Sequence, residues 1–318
     1  MTTDSMRKTR TEPADNGMAR IVAHLRLMRP ANIVTAVADI LAGFAICGAA
    51  GQVALGAQGG VSPSFSALLW LCLSTVGLYG GGIVFNDVFD ADLDSRERPE
   101  RPIPCGLASV ASAGTLAILL LAAGIGAAFI VSPLSGIIAA AVASLAVTYD
   151  AWGKHRSWFG PVNMGLCRGG NLLLGASAVP AALADVWPLG LVPVVYIAAV
   201  TTVSRGEVHG GNRRALAGGA ALYLAVLAAL VTLAVVIPTG WQAAPFVLLL
   251  AALIFPPLAR AWKTLEPHLV GKAVKAGVLS LIVLNSTLAG IFAGWQYGIM
   301  VLALLPLSLW LAKMFAVT

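Results

Sequence analysis

The chain has 318 residues, a net charge of +6 and a mean hydropathy of +0.87, with 58% hydrophobic and 11% charged residues. A soluble domain carries about 25% charged residues, so this composition excludes an ordinary soluble fold and leaves no length for a separate soluble domain. The positive charge is distributed along the chain in a way that also excludes nucleic acid as a ligand, for the reason given below.

Residues 1–25 (MTTDSMRKTRTEPADNGMARIVAHL) are the only long polar stretch and read as a tail ending in an interfacial helix; 26–318 read as one transmembrane domain. The first apolar run begins near Ala31, after this charged tail, which argues against a cleaved signal peptide. A hydrocarbon core of about 30 Å takes roughly 20 apolar residues per helix. Such runs lie near 31–50, 65–86, 111–131, 134–149, 161–182, 187–203, 215–237, 243–261, 275–293 and 295–314. The expected fold is all-α, a polytopic membrane bundle of nine to ten transmembrane helices. The longest charged connectors follow the second and sixth runs, four spans apart, which suggests a four-helix unit used twice. Cys47, Cys72, Cys105 and Cys167 show neither paired nor metal-type spacing and read as small core thiols.

If every run crosses, the connectors alternate sides. Arg7, Lys8, Arg10, Arg20, Arg26 and Arg29 precede the first span, and Arg96, Arg98 and Arg101 follow the second. Lys154 and Arg156 follow the fourth, Arg205, Arg213 and Arg214 the sixth, and Arg260, Lys263, Lys272 and Lys275 the eighth. The opposite connectors contain no Lys or Arg. Basic residues confined to one side mark the cytoplasmic face. The basic charge is therefore a topology signal, with both termini in the cytoplasm.

The stretch FNDVFDADLDSRERPERPIPCG, Phe85 to Gly106, places acids directly after an apolar run. Asp87, Asp90 and Asp94 fall at i, i+3 and i+7, one face of a helix, with the Asn86 amide one turn from Asp90. Carboxylates packed this way repel one another unless a cation sits among them. Hard oxygen donors favour Mg²⁺, which completes its shell with water and substrate phosphates. Arg98 and Arg101 follow, each before a proline, and guanidinium forks suit phosphate oxygens. The pattern describes a diphosphate site; a solvated charged linker is the plainer alternative.

NDVFDADLDSRERPERP resembles the NDxxDxxxD signature of the UbiA superfamily of intramembrane prenyltransferases, and within it the chain looks closest to the EboC-like branch. RPAN (Arg29 to Asn32) resembles that family's entry to its first helix, and YDAWGK (Tyr149 to Lys154) resembles its tyrosine-to-lysine segment. The resemblance implies Mg²⁺, a polyprenyl diphosphate donor and an acceptor of unspecified identity, in a bacterial plasma membrane. On it, Asp87, Asp90 and Asp94 are expected to hold metal and act in catalysis. Asn32, Asn86, Arg98, Arg101, Tyr149 and Lys154 are expected to bind substrate. The family's second DxxxD corresponds to TTVSRGEVHGGNRR, which keeps one carboxylate, Glu207, with Val203 four residues earlier. Glu207 is expected to join the metal and catalytic set, and Arg205 and His209 to meet substrate. Arginines could replace part of a second metal's charge there, or catalysis could have weakened.

Arg168 and Asn171 lie inside the fifth span, and Asp39 inside the first. A charge at bilayer depth costs roughly 2.5–3.5 kcal/mol on insertion scales, so Arg168 should face a polar cavity or bridge to Asp39. Arg168 and Asn171 are expected in the substrate pocket. Three functions remain open: prenyl transfer, non-catalytic isoprenoid binding or export on the same scaffold, and ion-coupled transport. Transporters place their acids near the midplane on broken helices, whereas most acids here sit in a connector.

Overall fold

The computed structural model describes residues 17–48, 65–156, 159–205 and 212–315. Among these the structure is helical, without strands. Helix α1 (Gly17–Met28) meets α2 (Pro30–Ile46) at a 45° bend, with Arg29 at the corner in a left-handed conformation, φ 47°. Pro30 fits the first position of α2, where its missing N–H has no helical partner. There follow α3 (Phe65–Phe89), the short α4 (Ala91–Glu97), α5 (Val110–Val131), α6 (Pro133–Ala151) and α7 (Phe159–Ala176). After short turns come α8 (Leu191–Ser204), α9 (Arg213–Val236) and α10 (Ala244–Thr264). The chain ends with the broken pairs α11 (Pro267–Leu279) with α12 (Leu281–Ala293), and α13 (Trp295–Leu302) with α14 (Leu304–Met314). A helix, α1, stands where the tail is expected to end; residues 1–16 lie outside the described ones.

Among the described residues eight helical segments are long and apolar enough to cross a membrane, or nine if the bent pair α1–α2 is one span. The protein is a multi-pass membrane protein. Every expected run has a helix, but α7, the fifth, falls outside those eight. Its 18 residues include Asn163, Arg168 and Asn171, all buried, so its polar side faces protein rather than lipid. It packs against α2, α6 and α8. In the two proposed repeats, α3 packs on α5 and α8 packs on α9, the pairs that flank the two charged connectors.

Small residues set these contacts, as expected where lipid tails supply no hydrophobic drive between helices. A methyl group added at Gly77 would stand 2.5 Å from the Leu120 carbonyl, and one at Gly124 2.7 Å from that of Ser74, so α3 and α5 touch through their backbones. Gly43 and Gly175 do the same for α2 and α7, against Leu172 and Ile40. Cys47 is buried and Cys72 and Cys167 half-buried, but Cys105 is exposed, because it lies in the turn after α4 rather than in a helix core.

Candidate active site

The mouth of the site gathers the ends of four helices. Helix α3 stops at Phe89; Asp90 (φ −92°, ψ 4°) is the step before α4 restarts the helix. The hydrogen bonds Asp90 N–H to Asn86 O (3.0 Å) and Asp94 N–H to Asp90 O (2.8 Å) carry the helical path through that step. Asp87 and Asp94 therefore stay on one side. Arg101 Nη1 donates to both, 2.6 Å to Asp94 Oδ2 and 3.3 Å to Asp87 Oδ1. Arg29 Nη2 donates to the same Asp87 oxygen at 2.5 Å. Asp90 instead turns to Lys154, whose Nζ lies 2.6 Å from its Oδ1. Asn86 donates to Asp150 Oδ1 at 3.0 Å.

The expected three-carboxylate face is thus a pair plus one. Among the described residues no three Asp, Glu, His or Cys side chains group as a metal centre. The reason is charge: each carboxylate is already met by a base, and Lys154 draws Asp90 away from the other two. The donors nonetheless fit Mg²⁺ in kind. Each aspartate engages a single oxygen among the described residues, which leaves its second oxygen as a hard ligand.

Behind the mouth lies a cavity of about 290 Å³. Arg29, Asn32, Asn86, Tyr149 and Asp150 line its polar part, and Leu78, Ile83, Val142, Ala146 and Met164 its apolar part. Asn171, Tyr79 and Cys167 also face it. The three glycines Gly80–Gly82 divide their roles. Gly81 admits the Ala117 carbonyl and Leu121 of α5, while Gly82 opens onto the cavity.

Of the residues expected at the site, Asn32, Asn86, Tyr149 and Asn171 line this cavity, and Asp87, Asp90, Asp94, Arg101 and Lys154 form the mouth. Arg98 is exposed, and among the described residues no ion pair holds its side chain. Arg205 is exposed at the end of α8. Glu207 and His209 lie outside the described residues. Val203, which stands four places before Glu207, is 1% exposed and packed in the apolar core, so that position offers no ligand.

Arg168 does not line the cavity. It donates to Asp39 Oδ2 (2.9 Å) and Thr35 Oγ1 (2.6 Å) and lies over the Tyr79 ring, 4.5 Å from its centroid. Asn285 (2.6 Å) and Asn171 (3.1 Å) also donate to Asp39, and Thr75 donates to Asn171 at 2.8 Å. The bridge to Asp39, one of the two expected outcomes, is the geometry found. Four polar or ionisable residues of the cavity or mouth are not among those expected to meet substrate: Arg29, Asp150, Tyr79 and Cys167. The local signals were the Arg-Pro pair opening α2 and the Tyr-Asp pair closing α6.

The site is a mouth of interleaved acids and bases at the ends of membrane helices, over a cavity with one polar and one apolar wall. The chain belongs to the UbiA prenyltransferase family, whose model matches residues 44–277. It is similar to the digeranylgeranylglyceryl phosphate synthases of Ignicoccus hospitalis (29% identity over 60% of this chain and 59% of that one) and Methanopyrus kandleri (32% over 52% and 56%). These matches span little more than half the length of the relatives. In fold it is similar to a UbiA homolog from Aeropyrum pernix K1 (TM-score 0.65, 18% identity, 80% of this chain and 96% of that one). It also resembles a UbiA homolog from Archaeoglobus fulgidus solved with GPP and Mg²⁺ (TM-score 0.55, 15% identity, 88% and 99%).

Proposed function

We propose that this protein transfers a prenyl group from a polyprenyl diphosphate to an acceptor inside the membrane. The observation that carries the reading is the mouth: Asp87, Asp90 and Asp94 interleaved with Arg29, Arg101 and Lys154, over a cavity with an apolar wall. Asp87, Asp90 and Asp94, with Glu207 as a further carboxylate, would hold Mg²⁺, which supplies positive charge against a departing diphosphate. Arg29 and Arg101 offer forked donors and Lys154 a point charge to phosphate oxygens. Leu78, Ile83, Val142 and Ala146 would take the isoprenoid tail and keep water from the allylic cation. The confinement of Lys and Arg to alternate connectors supports a mouth and termini in the cytoplasm. The GPP- and Mg²⁺-bound homolog supports the donor class and the ion. The name of the synthase relatives describes a glyceryl phosphate carrying geranylgeranyl groups, which supports a long donor and a glycerol phosphate acceptor.

The test uses purified protein in nanodiscs with labelled geranylgeranyl diphosphate, Mg²⁺ and an acceptor panel. The expected result is diphosphate release and a prenylated product, with weakened donor binding in Asp90→Ala. No diphosphate release with any donor, together with unchanged binding in Asp90→Ala, overturns the reading.

One observation favours a second reading, a non-catalytic isoprenoid-binding or export-assisting protein of the EboC-like kind. It is the core position of Val203, where the second acidic motif would begin. That reading expects donor to bind and stay intact; measured transfer excludes it.

A further inference from the structure

Among the described carboxylates at the mouth and cavity, one stands without a partner cation. Asp87, Asp90 and Asp94 are each held by Arg29, Arg101 or Lys154. Tyr79, Tyr149 and Cys167 also face the cavity, but phenols and thiols ordinarily lose their protons only near pH 10 and 8.5 or so. Asp150 is different. It is 4% exposed, lines the cavity, and has no ion-pair partner among the described residues. Its hydrogen bond comes from a neutral amide, Asn86, which fixes Oδ1 at 3.0 Å. Among the described residues nothing engages Oδ2. The carboxylate also stands where the charged mouth, through Asn86, gives way to the apolar wall, through Ala146 one turn earlier on α6. A reacting carbon would sit at that boundary, because the diphosphate belongs on one side and the hydrocarbon on the other.

We infer that Asp150 is the base that takes the proton of the acceptor hydroxyl; this rests on the prenyl-transfer reading and the glycerol phosphate acceptor above. In the step, the donor's allylic C–O bond breaks and its electron pair leaves with the diphosphate. A lone pair of the acceptor hydroxyl forms the new C–O bond, and the hydroxyl proton passes to Asp150 Oδ2, then to water at the mouth. Asp150 remains a carboxylate overall, and no oxidant or further reactant is needed.

Asp150→Asn keeps the shape and can still accept the Asn86 hydrogen bond through its amide oxygen. The protein in nanodiscs is given Mg²⁺, labelled geranylgeranyl diphosphate and the monogeranylgeranyl ether of glycerol phosphate, and donor binding and ether formation are measured separately. The expected result is donor binding within twofold of wild type, an acceptor KM within threefold, and a kcat for ether formation lowered by about 10²–10⁴-fold. In Asp150→Ala, added formate is expected to restore at least tenfold of the lost rate, which a purely structural role would not allow. If Asp150→Asn is recovered unfolded, the formate response of Asp150→Ala decides alone. Ether formation within threefold of wild type in Asp150→Asn, loss of donor binding in step with loss of rate, or no response to formate overturns the assignment. A wild-type protein that binds the donor and makes no ether overturns the assignment. One that neither binds nor cleaves the donor overturns the prenyl-transfer reading as well.

Discussion

Asp87 and Asp39 are both buried aspartates gripped by arginine, yet they sit in opposite circumstances. At the mouth Arg101 is buried between Asp87 and Asp94, but the Arg29 side chain on Asp87 is 27% exposed, Lys154 and Asp90 are 13% and 19% exposed, and among the described residues one oxygen of each acid is unused. In the knot between α2, α3, α7 and α12, Arg168 is 4% exposed, and both oxygens of Asp39 are taken, by Arg168, Asn171 and Asn285. Partly solvated pairs exchange partners at little cost, whereas breaking a buried pair strands a charge. The mouth can therefore hand its charges to a ligand. The knot cannot, and it fastens the first span to the fifth and ninth.

The sharpest way to break this contrast is to cut the knot. Arg168→Leu or Asp39→Leu alone should lower stability by about 3–5 kcal/mol, seen as thermal unfolding in detergent, and the double replacement should recover more than half of the loss. Single variants that melt like wild type would erase the distinction. At the mouth the pattern should invert. Asp90→Ala or removal of divalent ions with EDTA should cost prenyl transfer about 10²–10³-fold, the scale of losing charge stabilisation. The same changes should alter unfolding by less than about 1 kcal/mol, because these pairs are partly solvated. Inside the cavity, Gly82→Val should shift the ratio of kcat/KM towards shorter donors by roughly tenfold, since a methyl there already meets Ala146 at 3.3 Å. The smallest effect belongs to Arg98→Ala. This exposed side chain should change transfer by less than about threefold, with that change vanishing at high salt.

Much of the mouth was legible because its acids lie within one short stretch at helical spacing. Arg98 and Arg101 show where that legibility ends. Both precede proline after the same acids, yet only Arg101 is buried between Asp87 and Asp94. The chain leaves the helix at Arg98 (φ −143°, ψ 61°), and the turn that follows brings Arg101 back. A turn of that kind leaves no periodic trace. Arg29 and Asp150 went unassigned because their partners lie 58 and 64 residues away, and nothing local names them. The helices themselves were readable as apolar runs. Helix α7 was the borderline case: its glycines serve close packing and its Arg168 and Asn171 the knot, and both dilute apolarity.

The knot also constrains how the protein is made. Asp39 is synthesised 129 residues before Arg168 and 246 before Asn285. At 5–20 residues per second, Asp39 is made roughly 6–26 s before its counter-charge exists. For that interval a lone carboxylate in the bilayer would cost about 2.5–3.5 kcal/mol. The first helix therefore bears that cost alone, or lingers beside the insertion machinery until the fifth arrives.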